Sequence, residues 1–205
     1  MPRFFKTPHL VRWFFPRRVW SFSSSDNKVY LTFDDGPNRE ITEWILDLLD
    51  EKQVKATFFC VGRNARENPA LIDRIVGSGH AIGNHTMQHD KNTEVTSEDY
   101  LNSIENAAAY IPSKLFRPPY GRLTMRDARR IGKQYKIIMW TWLSYDFDNK
   151  VSTKDILENA KHKIKAGDIL VLHDNIKSSA RVKELLPGLI EIIRQKGYVF
   201  HTISA

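Results

Sequence analysis

The sequence predicts an α/β protein in which parallel strands are joined by helical crossovers, and three observations predict it. Short apolar runs rich in β-branched and aromatic residues alternate with helix-length amphipathic segments from residue 28 onward. Ionisable residues recur just past the ends of those runs, where barrels and open α/β sheets build their sites. No glycine-rich phosphate loop follows the first run, so a dinucleotide-binding sheet loses its main support. Periodicity alone leaves an open doubly wound sheet and a barrel as alternatives.

Residues 29–33 read as the first strand, and Ile41, Ile45, Leu48 and Leu49 form the apolar stripe of the helix after it. Residues 56–61 supply a second strand. A helix then opens near Pro69 with the stripe Leu71, Ile72, Ile75 and Val76, and Gly77 and Gly79 offer its C-cap. A short strand covers residues 80–83. The next helix starts at Ser97, where a capping hydroxyl meets Glu98 and Asp99 at the positive end of the dipole. Leu115-Phe116 pairs with a helix from Thr124, residues 135–142 form a strand before a helix from Ser152, and residues 168–172 precede a helix through Leu185, Leu189 and Ile193. Residues 198–203 close the chain as the last strand.

A length of 205 residues suits one core, and 41% apolar with 27% charged residues is ordinary for a globular chain. The single cysteine, Cys60, excludes an internal disulfide and a four-thiolate metal site, and its apolar surroundings suit a buried inert thiol. The net charge of +7 is concentrated early, because Arg3, Lys6, Arg12, Arg17 and Arg18 all precede the first acid, Asp26. Phe4, Phe5, Trp13, Phe14, Phe15 and Trp20 share that stretch. Residues 1–27 are therefore expected to be a basic aromatic segment packing on a domain of residues 28–205, with an anionic polymer or membrane surface as the other reading. No apolar stretch nears the roughly 20 residues of a transmembrane helix. No secretory signal is legible either, so the sequence by itself points to the cytoplasm. Nucleic acid is not an expected partner, since no recognised motif accompanies the basic balance and acids occupy the presumed groove.

The polar clusters are specific. Asp34-Asp35-Gly36-Pro37 follows the first strand, and two adjacent carboxylates in a partly desolvated place require a cation or an arginine nearby. The same tetrapeptide is also good turn chemistry. His85 and His89, four apart, are expected on one face of a helical turn, close enough to share an ion. With Asp35 they make a two-histidine, one-carboxylate set with coordination positions left open, which suits zinc hydrolysis or ferrous oxygen chemistry. Arg117-Pro118-Pro119-Tyr120-Gly121, Asp146, Asp148 and His173-Asp174 lie at later strand ends. These acid and base partners favour hydrolysis, with His173 able to protonate a leaving group.

Thr32 to Pro37, His85 to His89, Arg117 to Gly121, Asp146-Phe147 and Leu170 to His173 resemble, in order, the five motifs of the polysaccharide deacetylase family, the NodB-homology carbohydrate esterases. The resemblance spans residues 28–203. It implies a single-domain α/β fold, a distorted, incomplete (β/α)7-8 barrel. It implies Asp35, His85 and His89 as ligands of one divalent cation, usually zinc, with cobalt, nickel or manganese as alternatives. Asp34 is implied as general base paired with Arg117, the Tyr120 backbone N–H as an oxyanion donor, and His173 as general acid oriented by Asp146. Pro119, Tyr120, Leu172 and Trp142 are the expected substrate contacts. The fourth motif departs from the family pattern, with Leu143 and Phe147 where an aspartate and a tryptophan are common. The implied activity, in a monomer, is removal of N-acetyl groups from N-acetylglucosamine-containing glycans such as chitin oligomers or peptidoglycan. The alternatives are an O-acetyl esterase of the xylan type and a glycan-binding module without turnover.

Overall fold

A computed structural model describes residues 4–204; residues 1–3 and 205, which fall at the ends of the two expected segments, lie outside the described residues. The chain runs α1 (His9–Phe14), β1 (Lys28–Asp34), α2 (Arg39–Glu51), β2 (Thr57–Cys60), α3 (Gly62–Glu67), α4 (Pro69–Gly77), β3 (Ala81–Asn84), α5 (Ser97–Ala108), β4 (Leu115–Phe116) and α6 (Met125–Ile131). It continues with β5 (Lys136–Ile137), β6 (Trp142–Leu143), α7 (Thr153–Lys163), β7 (Ile169–His173), α8 (Ser179–Gln195) and β8 (Val199–Phe200).

Seven parallel strands curl into a half-barrel in the order β5-β4-β3-β2-β1-β7-β6, and β8 joins the start of β1. β5 and β6 lie at opposite ends of that order although only residues 138–141 separate them in sequence. One extended path, expected as a single strand over residues 135–142, is thus shared between the two outer edges of the sheet. The N-terminal segment enters the seam between them: Val19 bridges Ile138 in parallel and Lys6 bridges Trp142 in antiparallel fashion.

Alternation along β1 divides two interiors. Val29, Leu31 and Phe33 join Leu170 and Leu172 of β7 in the main core, under Ile41 and Ile45 of α2 and Leu185 and Leu189 of α8. Each such side chain, fully buried, stabilises by about 1.5–3 kcal/mol. Tyr30 points the other way and meets Phe59, Leu115, Ile138, Ile169 and Ile203 inside the barrel.

Three local expectations are corrected. The N-cap of α5 is Thr96, whose hydroxyl accepts from the Asp99 N–H at 3.1 Å, with Ser97 already in the first turn. Helix α3 has no apolar stripe in its sequence Gly-Arg-Asn-Ala-Arg-Glu and was not anticipated. The last strand shrinks to Val199–Phe200 because only the start of β1 is left to pair with. Among the described residues no helix is long and apolar enough to cross a membrane.

Candidate active site

Inward-facing polar residues begin where the apolar filling of the barrel ends. Thr32 and Asp34 share the interior face of β1, and both bind Arg117, which is completely buried. Arg117 Nη1 donates to Asp34 Oδ1 at 2.6 Å and to Thr32 Oγ1 at 2.7 Å, and Nη2 donates to the Met139 carbonyl at 3.1 Å. The guanidinium carbon lies 4.0 Å from the Phe59 ring centroid. Burial pulls the Arg117 pKa down and the Asp34 carboxylate opposes that pull. The positive charge demanded by the paired aspartates is therefore supplied from the end of β4.

Asp35, the next residue, turns away with φ +83°. Its Oδ1 lies 3.0 Å from His89 Nε2 and 3.6 Å from His85 Nε2, and one ligand atom from each of the three residues lies within 4.8 Å of the others. Its Oδ2 accepts from Asn175 Nδ2 at 2.7 Å, so only one carboxylate oxygen faces the histidines. Burial opposes ionisation of Asp35, but the His89 hydrogen bond and the charge of His173 outweigh it and hold the carboxyl below its usual range. His85 Nδ1 donates to the Arg117 carbonyl at 2.7 Å, which leaves the Nε2 lone pair towards Asp35. Burial lowers its pKa to about 4, the neutral form that a metal ligand requires.

The histidines do not ride on a helical turn, as their spacing suggested. They sit on an irregular loop after β3, with Thr86 at φ +64° and His89 at φ +60°. The unanticipated α3 holds that loop: the Gly62 and Arg63 N–H groups donate to the Thr86 and Met87 carbonyls, both at 2.9 Å. A Cβ on Gly62 would come within 2.6 Å of Met87 Sδ, so the close approach needs glycine.

Across the site, His173 ends β7 with its Nδ1 2.7 Å from Asp146 Oδ1. Its own N–H donates to Asp146 Oδ2, also at 2.7 Å. Burial depresses the imidazole pKa, but the Asp146 charge and hydrogen bond overcome this and raise it to about 9. Asp146 rather than Asp148 occupies this place. Tyr120, in a 3-10 turn over Pro119–Gly121 with φ +58°, stands 62% exposed at the rim, its ring 4.7 Å from that of His89. Pro119 beneath it is buried.

Two expected substrate contacts are not at the rim. Trp142 is fully buried in the wall and donates from Nε1 to Asn159 Oδ1 of α7 at 3.0 Å. Leu172 faces the helix layer with Phe33 and Leu170. By the two-residue period of a strand, Val171 is the apolar residue on the His173 side of β7. Sequence reasoning also left out Asn175 and gave Asp174 no role. Asp174 Oδ1 accepts from the Gly36 N–H at 2.8 Å and Oδ2 from Thr42 Oγ1 at 2.6 Å, and burial raises its pKa to about 8.

A sequence model of the family described as Polysaccharide deacetylase matches residues 23–140. The chain belongs to that family. Among curated relatives of this deacetylase is a peptidoglycan-N-acetylglucosamine deacetylase of Bacillus cereus, 30% identical over 91% of this chain and 91% of the relative. A solved peptidoglycan N-acetylglucosamine deacetylase superposes with a TM-score of 0.82 at 30% identity, covering 96% of this chain and 95% of that one. A Bacillus anthracis pseudoenzyme of the same carbohydrate esterase family superposes at 0.79 with 25% identity, covering 91% of this chain and 67% of that one. The likenesses extend over the whole half-barrel, and those to the two peptidoglycan-N-acetylglucosamine deacetylases support a deacetylase function for this chain.

Proposed function

We propose that this deacetylase hydrolyses the N-acetyl group of N-acetylglucosamine units in a glycan, with one divalent cation held by Asp35, His85 and His89. One observation carries the reading: Asp34 of the Asp34–Arg117 pair stands opposite His173 of the His173–Asp146 pair in the β1–β7 register, and the donor cluster begins at the next residue, Asp35. Two imidazole nitrogens and one carboxylate oxygen fit zinc, and cobalt, nickel or manganese suit the same set. When bound, the cation supplies Lewis acidity to the acetamide carbonyl and to a water.

The residues of the chain account for the proton movements. Asp34, fixed by Arg117, accepts the proton of the attacking water at its carboxylate. As the carbonyl carbon becomes tetrahedral, the Tyr120 backbone N–H donates to the developing oxyanion, a contact typically worth about 3 kcal/mol. Breaking the C–N bond requires a proton on the departing nitrogen, because an amide anion leaves too poorly. His173 gives that proton from Nε2 while Asp146 retains the hydrogen bond at Nδ1. Val171 is the apolar side chain suited to the acetyl methyl.

The test is acetate release from N-acetylglucosamine oligomers, peptidoglycan and acetylated xylan by metal-stripped protein with single cations restored. Release from the first two that needs the cation and is lost in Asp34→Asn and His173→Ala supports the reading. Release only from xylan would transfer the activity to O-acetyl esters, and none with any cation would leave a binding module.

A further inference from the structure

The proposed chemistry uses the rim at the C-terminal ends of the strands. The opposite end, with the N-terminal segment beside it, has a character of its own. Helix α1 is apolar on two sides. Val11 and, just past the helix, Phe15 pack on the cluster that contains Ala128 and Ile131 of α6. Leu10, Trp13 and Phe14, at i, i+3 and i+4 and so aligned on one side, stand 70%, 75% and 62% exposed. Three large apolar side chains uncovered together mark an interaction surface more often than chance.

Three residues after Phe14, Arg17 enters the wall of a cavity of about 610 Å³ shared with Arg129, Arg130, Lys133, Tyr135 and Lys136. Among the described residues no acidic one lines it. Arg130 is engaged by Glu98 at 2.8 Å, and Lys136 donates to the Ser204 carbonyl at 2.9 Å. Arg17, Arg129 and Lys133 project into solvent. Helix α6 leads directly into β5, so its end and the start of β5 lie at the N-terminal end of the strands, across the barrel from the rim.

We infer that this end of the molecule docks on an anionic lipid bilayer, with Leu10, Trp13 and Phe14 at the headgroup and acyl boundary and the cavity cations against lipid phosphates. Exposed apolar surface by itself would fit a protein groove as well. The positive charge that begins three residues further on at Arg17, carried by lining side chains with no acid among the described residues, is complementary to an anionic surface. A short helix with an indole and a phenyl ring at its tip suits the shallow interfacial zone, where tryptophan is favoured. Docked this way, the catalytic rim opens away from the bilayer.

The test is sedimentation of the full chain, zinc-loaded, with vesicles of phosphatidylcholine alone and of phosphatidylcholine mixed with phosphatidylglycerol. Retention is expected on the mixed vesicles, at least tenfold weaker on the neutral ones, and reduced by added salt. The variants Trp13→Ser/Phe14→Ser and Arg17→Glu/Arg129→Glu/Lys133→Glu should each lower retention at least tenfold, with the circular dichroism spectrum and Tm showing that they fold. Absence of retention on mixed vesicles overturns the inference. So does retention that the aromatic variant leaves unchanged, and binding to soluble polyphosphate as tight as to vesicles would mark a polyanion site instead.

Discussion

Asp146 holds His173 at two points, with Oδ1 2.7 Å from the ring Nδ1 and Oδ2 accepting from the backbone N–H at 2.7 Å. One carboxylate thereby sets the ring orientation, the tautomer and the charge of the same residue.

That double contact determines a pH dependence. Burial works against the imidazolium, but Asp146 lifts the His173 pKa to about 9, above an ordinary histidine value of about 6.5. The protonated ring's contribution to stability is fully present below the unfolded value and is lost as pH rises through about 9. Turnover that needs the proton falls over the same alkaline range. In Asp146→Asn, NMR titration of His173 should show a lower pKa, and the alkaline limb of the activity profile should move down by a unit or more. An unmoved limb would remove His173 from the acid role.

Arg117 is predicted to be the most costly polar side chain to remove. Arg117→Leu strands the Asp34 carboxylate in the barrel without its partner, a change of about 3–5 kcal/mol. Adding Asp34→Asn should recover part of that loss in denaturant unfolding, since the two residues form one unit. Full additivity of the two losses would contradict the pairing.

Asn175 is predicted to act on metal affinity. By taking Asp35 Oδ2 at 2.7 Å it leaves one oxygen directed at the histidines, and its own Oδ1 is fixed by the Ser178 N–H at 2.9 Å. Asn175→Ala should weaken zinc binding by about 10–100-fold, the usual range for a residue that orients a ligand. Competition titration with a chelator measures this without reference to turnover, and an unchanged Kd would exclude the role.

Gly36 is predicted to tolerate no side chain while Asp174 is present. A Cβ there would lie 1.9 Å from Asp174 Oδ2, and Asp174 is also anchored by Thr42. Gly36→Ala should destabilise by about 1–3 kcal/mol through overpacking. Gly36→Ala/Asp174→Gly should lose less in thermal unfolding than the sum of the two single changes.

Much of this architecture was legible in the sequence, for physical reasons that differ by element. Strands β1 and β7 are long and buried on both faces, so they read as unbroken apolar runs. Asp34, Asp35, His85, Arg117 and His173 were conspicuous because ionisable groups at strand ends are costly without partners. Helix α3 was hidden because its role is carried by backbone N–H groups, which leave no mark on side-chain periodicity. The backbone of Thr86 and His89 escaped for a related reason: two left-handed residues bring the histidines of this loop together where a spacing of four suggests a helix. Trp142 and Leu172 were misplaced by parity, since a shift of one residue along a strand exchanges the two faces. Asn175 and Asp174 act through Asp35 and Gly36, contacts that only the folded chain brings together.

The seam between β5 and β6 has a further consequence. Val19 donates to the Ile137 carbonyl and accepts from the Met139 N–H, the Thr7 N–H donates to the Thr141 carbonyl, and the Leu143 N–H donates to the Phe5 carbonyl. These bonds occupy ladder positions that an open sheet would present to another molecule. Trimming the chain up to the polar stretch at residues 23–27 would bare both edges at once, and bare parallel edges are templates for self-association. The early residues thus act as a cap on a sheet that never closes on itself.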